Sequence, residues 1–112
     1  MITRVTSQDF EDKVLKSDLP VFACFTTSWC RSCFALCLVI EDLARHYKQR
    51  IRFVEVDAED APELVERYHL RALPAVLLFK GGKPVKKLLG FRSRAPLKNL
   101  LDMLAARKQE DV

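Results

Sequence analysis

The spacing of apolar residues changes period several times along this chain, and each change predicts an element. Ile2–Val5 can form a short strand, after which Thr6 or Ser7, followed by Asp9, supplies a helix cap and a first-turn acid. Phe10, Val14 and Leu15 then share one face at helical spacing. Residues 19–27, "LPVFACFTT", are apolar without alternation and rich in β-branched and aromatic side chains, which predicts a central strand covered on both sides. From about Arg31 the period becomes helical again, with Phe34, Cys37, Leu38, Glu41 and His46–Tyr47 sampling both faces of a helix expected to end near Gln49. "IRFVEVDAED" predicts the next strand, and Pro62 suits the first turn of a helix reaching about Tyr68. "ALPAVLLFKGGKPVKKLLGF" divides into two strands at Gly81-Gly82, a hairpin signal. Ser93 caps a final amphipathic helix, "APLKNLLDMLAARK", whose Arg107 and Lys108 suit its C-terminal dipole.

The element order is therefore β-α-β-α-β-α-β-β-α, an α/β chain. Alternating units imply parallel strands with right-handed crossovers, and the late hairpin adds an antiparallel pair, giving a mixed five-stranded sheet with helices on both faces. With 112 residues and 49% apolar content, residues 1–112 make one domain whose core can stand without disulfide staples. The +4 charge is spread along the chain, which speaks against a nucleic-acid partner. No apolar run is long enough to span a membrane, and the N-terminus lacks the basic start and apolar stretch of a secretory leader. A reducing cytoplasm is the expected compartment, where paired cysteines more often serve redox or metal chemistry than structure.

Three of the four cysteines fall within "SWCRSCFALC", residues 28–37, between a strand and a helix. At that junction, unpaired backbone N–H groups and the positive end of the helix dipole favour a thiolate at Cys30, and Arg31 adds charge of the same sign. Cys33, three residues on, is near enough to close a small disulfide ring. One sulfur attacks and its neighbour resolves: Cys30 forms a mixed disulfide with a partner, and Cys33 displaces the reduced partner. Trp29 adjoins Cys30 and can shield the mixed disulfide.

The ordered set "VFACF", "SWCRSC", "FVEVDAED", "RALPAVLLFKGG" and Gly90 resembles the thioredoxin family over essentially the whole chain. The resemblance implies a thioredoxin fold and a protein dithiol-disulfide oxidoreductase serving cell redox homeostasis. It needs no cofactor beyond its own disulfide. It also implies a cis proline facing the reactive cysteine, here Pro74, which as the first residue of a strand needs no ladder N–H. By the same resemblance the backbone of Leu73 pairs with an extended client segment, and Trp29, Leu73, Gly90 and Phe91 border an apolar groove. For Leu73 and Phe91, plain core packing is the competing reading. Disulfide-containing client proteins, and a thioredoxin reductase or another thiol donor, are the implied partners of a monomer.

The chain departs from the family at three places. Arg31 and Ser32 stand where Gly-Pro is common, and a cation with a hydroxyl near Cys30 should make the disulfide more oxidising than about −270 mV. Cys24 stands where the family has a buried, proton-relaying aspartate; Glu55 on the next strand is the candidate substitute if it points inward. Leu38 replaces a kinking proline. Cys37 shares a helix face with Cys33 and is open to an alternative disulfide or a sulfenic-acid trap, although burial as small hydrophobes is the favoured reading for Cys24 and Cys37.

A metal cage is disfavoured, because only one C-x2-C pair exists and His46 lies nine residues beyond Cys37 on the same helix. His46 and His69 read as surface or cap residues, and a cluster bridging two chains through Cys30 and Cys33 would betray itself by visible absorbance. The alternative of another class is a thioredoxin-fold interaction module with little redox turnover.

Overall fold

A computed structural model describes residues 2–47 and 49–105. Its sheet contains β1 (Ile2–Val5), β2 (Val21–Thr26), β3 (Arg52–Asp57), β4 (Ala75–Lys80) and β5 (Lys83–Leu89), in the order β1-β3-β2-β4-β5. β1 and β2 run parallel to β3, while β4 is antiparallel to both β2 and β5, which is the mixed sheet expected. All six residues of β2 are buried because both faces of the sheet are covered. Phe22 and Cys24 face helices α1 (Arg31–Ala44) and α3 (Arg94–Ala105), packing with Leu36, Ile40, Leu97 and Leu101. Ala23 and Phe25 face the other way, toward Phe10, Val14 and Leu64 of the segment after β1 and of α2 (Pro62–Arg67).

The turn chemistry follows the sequence closely. Gly81 and Gly82 both take positive φ, at 61° and 80°, as a tight hairpin requires, and a Cβ on Gly82 would lie 2.7 Å from the Leu15 carbonyl oxygen. β5 is the exposed edge; its three lysines and Pro84, which sits where the register slips after Leu78, discourage pairing with another chain. His69 is exposed and follows the Tyr68 cap of α2 at φ 56°, where its N–H and that of Leu70 donate to the Glu66 and Val65 carbonyls.

Several boundaries differ from expectation. Neither Thr6 nor Ser7 caps the first helical segment, which begins at Phe10 without a side-chain cap; Thr6 instead closes the turn ahead of it, its amide donating to Asp9 Oδ1 at 2.7 Å and its hydroxyl accepting the Asp9 amide. That segment is one wide turn, Glu11–Leu15, closed by Lys16 N–H donating to the Glu11 carbonyl. Phe10 and Val14 are buried from it all the same, so the apolar face was legible and the hydrogen-bond pattern was not. α1 ends at Ala44, short of Gln49, because buried Tyr47 is pulled toward α3, where its hydroxyl donates to the Asp102 carboxylate. β3 stops at Asp57, whose carboxylate accepts the Glu59 amide and starts a tight turn over Ala58–Asp60. Arg107 and Lys108 lie outside the described residues.

Candidate active site

The buried β2 ends at Thr26, and four residues later the chain enters α1 with Cys30 as its cap. Cys30 is extended, at φ −96° and ψ 113°, so that its carbonyl accepts the Phe34 amide while its Sγ accepts the Cys33 amide at 3.2 Å. A sulfur is thus doing what a serine or aspartate oxygen does at other helix starts. Cys33 sits within the first turn, 1% exposed, and the two sulfurs are joined as a disulfide with their Cα atoms 5.2 Å apart. Ser32 Oγ lies 3.5 Å from Cys30 Sγ, and Arg31 is exposed beside it.

Two cavities meet at Cys30. An apolar groove of about 600 Å³ runs from Cys30 and Trp29 past Pro62 and Val65 to Leu70 and Leu73. Trp29 is 69% exposed and stands over it, its indole N–H donating to Glu59 Oε2 at 3.2 Å. Leu73–Pro74 is a cis peptide, Pro74 is buried, and its carbonyl accepts the Gly90 amide at 2.7 Å. Trp29 and Leu73 therefore line the groove together, whereas Gly90 and the exposed Phe91 lie outside its lining.

The second cavity is a polar cleft of about 190 Å³ on the α1 side of the sheet, reaching from Cys30 and Cys33 to Cys37, Glu55, Asp57 and Arg4. Glu55 does point inward. Its carboxylate accepts from the Thr26 hydroxyl at 3.1 Å and the Cys37 thiol at 3.5 Å, and pairs with the Arg4 guanidinium at 3.5 Å. Strand register explains the gathering, since Arg4 on β1 and Cys24 on β2 both stand opposite Glu55 on β3. Cys24 is core filler, 2% exposed, and burial, chiefly, holds its thiol far above the usual range. Cys37 corrects the expectation of simple burial: it is half-buried on a polar cleft, and burial followed by the Glu55 carboxylate pushes its thiol up to about 11. Leu38 lets α1 run unbroken from Arg31 to Ala44 with its own side chain exposed. His46 is exposed near Arg94, apart from the cysteines. Among the described residues no three His, Cys, Asp or Glu side chains converge as a metal ion would require.

The thioredoxin family model matches residues 1–103 of this sequence. The chain belongs to the thioredoxin family. Among similar thioredoxins, that of Rickettsia bellii is 33% identical, covering 87% of this chain and 92% of its own. Thioredoxin C-2 of Corynebacterium nephridii is 32% identical over 90% of this chain and 94% of its own, and thioredoxin 1 of a Nostoc species 31% identical over 88% and 92%. The thioredoxin family is one of thiol-disulfide oxidoreductases. No helix among the described residues is long and apolar enough to cross a membrane.

Part of this site was not apparent from the sequence alone. Arg4, Thr26, Thr27 and Asp57 line the cleft, and Glu59 holds Trp29. Two adjacent threonines at the end of a buried strand, just before the cysteine pair, were the signal available for Thr26 and Thr27. Arg4 and Glu59 carried none, because their places depend on strand register and on the turn after β3.

Proposed function

We propose that this thioredoxin-family chain exchanges electrons with the disulfides of client proteins through Cys30 and Cys33. The observation that carries this reading is the Cys30 sulfur at the mouth of α1, accepting the Cys33 amide at 3.2 Å beside an apolar groove. That amide, the helix dipole and the neighbouring Arg31 all favour negative charge on the sulfur. The Cys30 thiolate attacks a client disulfide and releases one client sulfur; Cys33 then attacks Cys30 and releases the second, leaving the protein disulfide. A thioredoxin reductase or another thiol donor restores the dithiol, with no further cofactor. The client strand lies along the Leu73 backbone beside Pro74 and places an apolar side chain in the groove that Trp29 and Leu73 line. It works as a monomer in a reducing cytoplasm, without nucleic acid or membrane.

An insulin-reduction turbidity assay with dithiothreitol tests this. The wild-type protein is expected to accelerate precipitation over the reductant alone, and Cys33→Ser is expected to accumulate a mixed disulfide at Cys30, read by mass spectrometry. No acceleration and no adduct would leave the interaction module as the surviving reading. Poise is tested separately. Arg31 and Ser32 stabilise the reduced, thiolate form, so the potential against glutathione is expected to be less negative than about −270 mV. Arg31→Gly with Ser32→Pro should move it back, and a wild-type value below −270 mV or so would reject the role given to these two residues.

A further inference from the structure

Taken over the whole chain the +4 charge reads as diffuse, but the fold gathers it on one side. Between Glu66 and Asp102 the sequence holds nine lysines and arginines and no acidic residue, while the rest of the chain is net acidic. Arg94 and Lys98 of that stretch are matched by Asp42 and Asp102; the others make no ion pair among the described residues. Three of these, Arg67, Lys86 and Lys87, are exposed around a single recess of about 360 Å³ between the end of α2 and the edge strand β5. The recess exists because α2 stops at Arg67 and the chain turns away through His69 at positive φ, leaving Val85 of β5 52% exposed. Tyr68, Leu77, Pro84 and Val85 give it an apolar lining.

Two of the cations are held in place before any ligand arrives. The Lys87 ammonium donates to the Tyr68 and His69 carbonyls, both at 3.2 Å, which would otherwise be orphaned at the end of α2, and one of its three N–H groups is left over. The Arg67 guanidinium lies over the Tyr68 ring, 5.7 Å from its centroid, and a stacked arginine keeps its in-plane N–H donors free. Tyr68 is itself braced edge-on by Phe79 at 5.6 Å. Little ordering is left for binding to cost.

A ligand that fits needs an apolar side chain for the recess and negative charge to either side of it. A nucleic acid calls for a track of cations along a groove, whereas these ring one hollow, and the flat surface of a bilayer does not enter a recess. We propose that the recess between α2 and β5 docks an acidic segment of a partner protein, a leucine or phenylalanine side chain entering against Tyr68, Leu77 and Val85 while the flanking carboxylates accept from Arg67, Lys86 and Lys87. The lysines that keep β5 from pairing strand to strand are the ones that hold such a segment through its side chains. The cysteines take no part: Cys30 lies on the other groove, which Glu66 and Arg71 border, so docking is independent of the redox state.

The test titrates a fluorescein-labelled peptide, DELFED, with the full-length protein and follows its anisotropy. Saturable binding is expected, weakening on the order of tenfold as salt rises from about 0.05 to 0.3 M. The amide counterpart NQLFQN and the peptide DEGGED, which lacks the apolar pair, should each bind about tenfold more weakly, since charge and recess are both needed. Arg67→Glu with Lys86→Glu should weaken binding by about 20-fold or more and Val85→Asp by about tenfold, whereas Arg71→Glu on the client groove should change it by less than about twofold. Cys30→Ser with Cys33→Ser should bind as the wild type does. Should the charge-reversed variant not fold, amide shifts of the wild-type protein decide the matter, moving at residues 67–69 and 84–87 when the peptide is added. No saturable binding, full binding by the folded charge-reversed variant, or shifts centred on Trp29 and Leu73 would each overturn the proposal. Tighter binding of an oligothymidylate or of phosphatidylglycerol vesicles than of the peptide would overturn it too, by giving these cations to a nucleic acid or to a membrane.

Discussion

Cys30→Ser is expected to reduce insulin reduction to the rate of dithiothreitol alone while leaving the fold intact. Serine is a favourable helix cap, so the Cys33 and Phe34 amides keep their acceptors and α1 keeps its start. None of the other three sulfurs can take over. Cys33 is buried at the base of the first turn, Cys24 lies in the core, and Cys37 is held in the cleft by Glu55. With its thiol pushed up to about 11, Cys37 is ionised to only about one part in ten thousand at pH 7. An alkylating agent should make the same distinction among the four sulfurs. Reduced wild-type protein should lose its activity with one equivalent of iodoacetamide bound at Cys30, while Cys24 and Cys37 react only after unfolding. Peptide mapping checks this, and rapid labelling of Cys37 in the native protein would contradict the environment described for it.

How much of this could be seen in the sequence depends on how local its cause is. The buried run at Val21–Thr26, the Gly81-Gly82 turn, Pro62 at a helix start and the strand-to-helix junction at Cys30 each rest on residues adjacent in the chain, and all four were legible. The end of α1 was not, because Tyr47 leaves the helix for a partner on α3 that lies 55 residues away. Glu55 shows the same limit at the site. Its residue type made it a candidate, but its direction follows from a register that sets Arg4, Cys24 and Glu55 side by side on three strands. Chain-distant pairing of this kind also explains the groove: Trp29 and Leu73 both line it, while Glu59 and Val65, which complete it, had no pattern to announce them.

Phe10→Ala is expected to lower the unfolding free energy by about 3–5 kcal/mol. The ring is 1% exposed and stands 5.8 Å from Phe79, 6.1 Å from Tyr68 and 6.4 Å from Phe25, in tilted or edge contacts. Truncation removes its transfer free energy and leaves a hole that these neighbours cannot close, since Phe25 and Phe79 belong to paired central strands. Against a typical total of about 5–15 kcal/mol, the midpoint of thermal unfolding should fall by roughly 15–25 °C. Phe10→Leu, which keeps most of the volume, should lose under about 1.5 kcal/mol. The chemistry should respond differently from the fold. Phe10 packs on the sheet face opposite the Glu55 cleft, so the resolving step should keep its wild-type rate well below the melting transition. A client-dependent loss is still expected, because Tyr68 links Phe10 to the end of α2, and α2 carries the Val65 wall of the apolar groove. If Phe10→Ala melted like the wild type, the packing of this face would be wrong; if it melted early and, at low temperature, the second thionitrobenzoate released from dithiobis-nitrobenzoate, which reports attack by Cys33, came slowly, the separation of cleft from core would be.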